Sequence, residues 1–249
     1  MKQQDMTTAG TGWPRAGLEL GLGLAGVALS GGGLSAVVGL PVMALLAALG
    51  VQAALSALLW LHWPDRGRSL GPANHVTLGR AALVSLLAGA ALVPSWAQQQ
   101  AWLLAGIAGT ALLLDGVDGW VARRWRCASA FGARFDMELD AFLMLVLCMH
   151  LLSMGKAGPW VLAIGLMRYG FVLAMRRWPW LDAPLPDSRR RKLVCVWQVA
   201  SLLLCLLPLV GPTLATGLLA LALGLLAGSF ALDVRWLYRS GASLRVAGP

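Results

Sequence analysis

The chain has 249 residues, 58% of them hydrophobic and only 12% charged, with a formal net charge of +9 and a mean hydropathy of +0.71. A soluble domain of this size cannot hide that much apolar surface, so the composition argues against a water-soluble fold and makes lipid the expected solvent. The bases are dispersed over short loops, which argues against a nucleic-acid-binding role.

Charges, prolines and glycines divide the chain into about eight apolar segments: 16–32, 35–61, 76–94, 99–121, 135–153, 158–175, 193–209 and 212–234. Each is near the roughly 17–25 residues of a spanning helix. None has the strict alternation of a membrane barrel, so the expected class is an all-α multipass membrane protein.

The first two segments form a helical hairpin with little chemistry; their sole acid is Glu19, about one turn past Arg15. The start is polar, but its only early base is Lys2 and a second apolar run follows at once, so the first segment reads as a span, not a signal peptide. The stretch "HWPDRGRSLGPANH", 62–75, then breaks the pattern with proline, glycine and charge, as a linker does. The chain is accordingly divided into an N-terminal hairpin, 1–62, a six-helix core, 63–240, and a short cytoplasmic tail, 241–249. Within the core, a second polar loop spans 176–192, where Pro184 and Pro186 exclude a continuous helix.

The bases alternate with the segments. Lys2, Arg15, Arg66 and Arg68 flank the first two; Arg123, Arg124, Arg126 and Arg134 follow the fourth; Arg176, Arg177 and 189–192 follow the sixth; Arg235, Arg239 and Arg245 follow the eighth. With eight spans these share one side and only Lys156 lies opposite, so the positive-inside rule puts both termini in the cytoplasm. Eleven of the tryptophans, among them Trp60, Trp63, Trp96, Trp102, Trp160, Trp178 and Trp236, fall near segment ends as an interfacial belt. Cys127, Cys148, Cys195 and Cys205 form no paired framework and are expected as small core residues. His62, His75 and His150 are expected at interfaces or in the core, without a chemical role.

Five of the eleven acids lie in "DGVDGWVARRWRCASAFGARFDMELD", residues 115–140. Asp115 and Asp118 are three apart near the end of the fourth segment; Asp136 and Asp140 are four apart at the start of the fifth. Both spacings put the pair on one helix face, and two helices entering from the same side can turn those faces together. Asp115 precedes Arg123 by eight residues, roughly 12 Å at about 1.5 Å per residue, which sinks the site below the headgroups. Four crowded carboxylates repel strongly, and Arg123 alone does not balance them. One or two divalent cations would, and an all-oxygen set suits Mg²⁺ or Mn²⁺ better than zinc. Glu138, two residues from both Asp136 and Asp140, points off the shared face. Gly116, Gly119 and Gly132 leave room for a ligand. A metal pair beside glycine and arginine suits phosphoryl transfer.

The pattern Asp115-x2-Asp118-Gly119-x2-Ala122-Arg123-x8-Gly132-x3-Asp136-x3-Asp140 resembles, without gap or substitution, the signature of the CDP-alcohol phosphotransferase family (CDP-alcohol phosphatidyltransferases, class I). "PANHVTLGR", 72–80, is similar to the Pro-x-Asn-x-x-Thr-x-x-Arg entry of the family's first core helix, through Asn74, Thr77 and Arg80. "RKLVCVWQ", 191–198, is similar to its Gly-Lys-x-Lys-Thr-x-x-Gln stretch through Lys192 and Gln198, but Arg191, Val194 and Cys195 depart from it. The resemblance spans 72 to about 236 and leaves out the hairpin. It implies a six-helix core, usually a homodimer, and a site just inside the cytoplasmic leaflet. It further implies transfer of a phosphatidyl or other phosphoalcohol group from a CDP-linked donor to a small alcohol, releasing CMP. Asp115, Asp118 and Asp136 would bind two metal ions; Asp140 would complete the second site and act as general base. Gly119, Ala122 and Gly132 would leave room for the cytidine nucleotide, Arg123 would sit near its phosphates, and Asn74 and Thr77 would line its side.

Arg168 is a lone cation inside the sixth segment, where charge is costly. With Lys192, Arg80 and Arg190 it is expected to form a basic acceptor pocket suited to a phosphorylated alcohol such as glycerol 3-phosphate. Two rival classes share the architecture. An intramembrane Mg²⁺-dependent prenyltransferase would normally carry its paired aspartate motifs on separate hairpins. A non-enzymatic cation transporter would use the aspartates as an ion site and release no CMP.

Overall fold

The computed structural model describes residues 15–63, 71–124 and 130–246, nearly all of them helical. Helices α1 (Arg15–Val38) and α2 (Val42–His62) form the hairpin. Between them Gly39 takes a φ of +65°, a turn conformation that side-chain-bearing residues avoid, and Pro41 occupies the position before the first turn of α2. Helix α3 (Pro72–Ala90) starts at Gly71 with φ +87° and Pro72 in its first turn, where a missing N–H costs nothing. A short α4 (Pro94–Gln99) leads into α5 (Ala101–Arg124) and α6 (Ala130–Ser153). A 3₁₀ turn at Pro159–Val161 precedes α7 (Leu162–Arg177), and another at Pro179–Asp182 follows it. Residues 183–188 are non-helical, as the two prolines require, before α8 (Arg189–Leu206) and α9 (Pro212–Val246). The eight expected segments thus correspond to the eight long helices among the described residues. The six-residue α4 had no signal beyond Pro94, and α9 runs on past residue 240.

Helix α3 occupies the middle, packed against α1, α2, α5 and α6; α8 packs on α5, α6 and α9, and α7 closes against α6 and α9. The main core joins Leu87, Leu104, Leu147, Leu151, Leu202 and Leu206. His150 is wholly buried there, its Nε2 2.9 Å from the Leu87 carbonyl oxygen, and so ties α6 to α3. Large apolar side chains such as Leu29, Leu113, Leu173 and Leu221 face outward. Among the described residues α1 (16–38), α2 and α9 (212–239) are long and apolar enough to cross a membrane, and Ala101–Val117 is a shorter apolar stretch. The chain is an integral membrane protein of all-α class.

Small residues set the closest helix approaches. A Cβ on Gly165 would fall 2.5 Å from Leu145 Cα, so α6 and α7 meet where only glycine fits. Lys156, buried at the turn after α6, donates from Nζ to the carbonyls of Cys205 (2.7 Å) and Leu207 (2.5 Å). It supplies donors and positive charge to the end of α8, whose last carbonyls have no helical partner.

Cys148 and Cys205 are buried as expected, but Cys195 is exposed. On α8 close burial begins only at Gln198, and the turns before it stand largely open, Leu193, Val196 and Trp197 included. Cys127 lies outside the described residues.

Candidate functional site

Helical spacing gives α3 two working faces. Thr77, Arg80, Val84 and Leu87, three or four residues apart, are buried toward α5 and α6. Asp115 comes in on α5; Asp136 and Asp140 come in on α6, one turn apart. Carboxylate oxygens of Asp115, Asp136 and Asp140 all lie within 4.8 Å of one another. These side chains are 37–38% exposed, open enough to receive a ligand.

Arg80, only 1% exposed, reaches into the cluster. Its Nη2 lies 3.0 Å from Asp115 Oδ1 and donates to Asp140 Oδ1 at 2.5 Å, while Nη1 donates to Asp136 Oδ1. Its Nε donates to the carbonyl of Ala111, one turn before Asp115, at 3.1 Å, which fixes the guanidinium against α5. Among the described side chains the charge balance is incomplete, because three ionised carboxylates against one guanidinium leave two negative charges. Repulsion of this kind at a half-exposed site favours a bound cation, and the all-oxygen donor set fits Mg²⁺ or Mn²⁺. The residues present could therefore hold a metal ion.

The expected counter-charge was Arg123. Its side chain lies outside the described residues, as do those of Asp118 and Ala122, although all three fall on α5. The cation seen among the carboxylates is Arg80, which the sequence grouped with an acceptor pocket. The signal for its place was available: an arginine within an apolar segment, eight residues into α3, needs anionic partners. Asn74 and Thr77 lie on the same helix, one to two turns before it, and Thr77 is buried. Gly119 and Gly132 are partly buried. A Cβ on Gly116, next to Asp115, would meet nothing within 4 Å.

Two of the other bases expected to receive an acceptor, Arg168 and Arg190, are held by different acids. Arg168 Nη2 donates to Glu138 Oε1 at 2.5 Å, and Glu138 stands outside the carboxylate cluster, as its spacing implied. Arg190 donates to the carbonyl and hydroxyl of Ser229, both at 2.6 Å, and to Asp233 at 2.5 Å, which joins α8 to α9. Lys192 is exposed. Arg190 also lines a cavity of about 510 Å³ with Val194, Gly228 and Arg235; its wall is mainly apolar and includes none of the clustered aspartates. The carboxylates are the better guide to chemistry, because among the described residues that line it the cavity has no carboxylate, histidine or cysteine. Sequence reasoning gave His75 no role; its Nε2 is 3.2 Å from Glu19 Oε2, which links α3 to α1 beside Asn74.

The family model for CDP-alcohol phosphatidyltransferases matches residues 71–228. Over 95 residues the chain is 36% identical to a protein of Arabidopsis thaliana named CDP-diacylglycerol–glycerol-3-phosphate 3-phosphatidyltransferase 1, chloroplastic/mitochondrial. That match covers 36% of this chain and 31% of the relative, so the chain spans about a third of the relative's length. No solved structure matches.

Proposed function

Because the chain belongs to the CDP-alcohol phosphatidyltransferase family, we propose that it moves a phosphatidyl group from a CDP-linked lipid, such as CDP-diacylglycerol, to an acceptor alcohol. The observation that carries this is the meeting of Asp115, Asp136 and Asp140 from two helices within 4.8 Å, in a segment with the family's spacing.

The acceptor hydroxyl oxygen attacks the phosphorus that bears the diacylglycerol. A new P–O bond forms there, the bond to the bridging oxygen breaks, and CMP leaves with that oxygen. The hydroxyl proton passes to the Asp140 carboxylate, the general base. Asp115, Asp118, Asp136 and Asp140 would hold two ions of Mg²⁺ or Mn²⁺, whose charge would offset that of the diphosphate when bound. Arg80, pinned at Ala111, keeps Asp140 and its neighbours oriented. Arg123 lies by the nucleotide phosphates, and Asn74, Thr77, Gly119, Ala122 and Gly132 form the nucleotide pocket. Arg168, Arg190 and Lys192 receive the acceptor, for which glycerol 3-phosphate is our first choice; the name of the Arabidopsis relative supports it. The enzyme works as a homodimer in a bacterial-type inner or plasma membrane, with eight spans, and with the site and both termini facing the cytoplasm.

CMP release by purified protein in mixed micelles tests this. The donor is CDP-diacylglycerol with Mg²⁺ or Mn²⁺, and the acceptors are glycerol 3-phosphate, serine, inositol, inositol phosphate and choline, each alone. Release with glycerol 3-phosphate, lost in Asp140→Asn, is expected. Release with a different alcohol would replace the acceptor, and failure to bind the CDP donor would remove the reaction.

A further inference from the structure

The family match begins at residue 71 and leaves α1 and α2 without a role, yet these helices pack against the helix that carries Arg80. The face of α3 opposite Thr77 and Arg80 is made of His75, Leu78, Ser85, Leu86 and Gly89. Each is met by the hairpin. At the N-terminal end of α3, His75 pairs with Glu19 of α1. About three turns further on, the Ser85 hydroxyl donates to Gln52 Oε1 of α2 at 3.0 Å, and both residues are fully buried. Gly23 leaves room there for the Gln52 amide and Leu78, since a Cβ would lie 3.0 Å and 3.1 Å from them. Leu86 lies against Gly31. A Cβ on Gly89 would fall 2.2 Å from the Ala44 carbonyl oxygen and 2.9 Å from Ala48, so α2 lies as close to α3 as a backbone allows.

A polar side-chain bond within an apolar seam is directional, whereas leucine contacts tolerate sliding. We propose that the N-terminal hairpin is a positioning element of the site: through the Ser85–Gln52 hydrogen bond and the Gly89 contact it sets the rotation and depth of α3, and so the place of Arg80 among the three carboxylates. A turn of about 10° at roughly 6 Å from the helix axis moves a group by about 1 Å. A misplacement of that size can cost on the order of 10²-fold in rate. Gln52 and Ser85 are positioning residues, since neither touches the carboxylates. This rests on the transferase reading of that site.

The test compares full-length Gln52→Leu, Ser85→Ala and Ser85→Thr in the CMP-release assay, with unfolding temperature followed in the same micelles. The expected result is a kcat about tenfold lower in Gln52→Leu and Ser85→Ala, KM for both substrates within about twofold, and near-normal kcat in Ser85→Thr, which keeps the hydroxyl. The double variant should be no worse than the poorer single one, because both remove one bond. Unchanged kcat in both single variants would overturn the proposal, as would losses that only follow the folded fraction. If the unaltered protein releases no CMP, the transfer reading fails on its own. Mn²⁺ titration followed by electron paramagnetic resonance then decides the positioning claim: an affinity shifted severalfold in Gln52→Leu and Ser85→Ala but not in Ser85→Thr supports it, and equal affinities overturn it.

Discussion

Arg80 and Asp140 concentrate the chemistry at the residue scale. Among the described residues Arg80 makes four polar contacts from a position that is 1% exposed, three of them to carboxylates. Substituting Arg80→Gln removes the cation that, among the described residues, sits in the cluster and leaves the acids to repel. The expected cost is about 2–3 kcal/mol, below the roughly 3–5 kcal/mol of a fully buried broken pair, because the acids are over a third exposed. Unfolding in micelles would measure it, and added Mn²⁺ should recover part of the loss. Asp140→Asn keeps the size and removes the base; a fall in kcat of about 10²–10⁴-fold is expected, with the variant still folded. A fall below tenfold would take the proton-acceptor role away from Asp140.

At the scale of elements, the helices are held in register by a few specific devices and not by apolar contact alone. Gly165 is one: an added Cβ would meet Leu145 backbone, which cannot move aside as a side-chain tip can. Gly165→Ala should cost about 1–3 kcal/mol, measured by unfolding in micelles, and should loosen α6 against α7. Lys156 is another. Lys156→Met keeps the length but leaves the carbonyls of Cys205 and Leu207 without their donor, at an expected cost of about 1–3 kcal/mol.

The whole molecule makes two claims that experiments can separate. Chelation should abolish CMP release and either Mg²⁺ or Mn²⁺ should restore it; activity that survives exhaustive chelation would remove the metal. Orientation is tested by single cysteines in a background without native thiols. Asp187→Cys should react with a membrane-impermeant maleimide only after the cells are opened, and Thr213→Cys should react in intact cells. The reverse pattern would invert the topology.

Composition and local pattern made much of this legible in advance. Apolar segments of spanning length gave the helices, because in lipid the backbone must satisfy itself within each segment and length alone marks it. The i,i+3 and i,i+4 aspartates announced a shared face, because that periodicity is a property of one helix. Glu138 was set aside by the same rule and is found with Arg168. What needed the tertiary structure was every pairing between helices. Arg80 belongs with Asp115, Asp136 and Asp140, which follow it by 35 to 60 residues, and Glu19 belongs with His75. Cys195 is exposed because it lies on the open first turns of α8, not because of its own type. Sequence determined the solvent, the helices and the acids that face one way, since each is written within a single segment. Only packing decided which cation meets those acids and that the hairpin grips the helix carrying it, because such contacts depend on how separate helices approach.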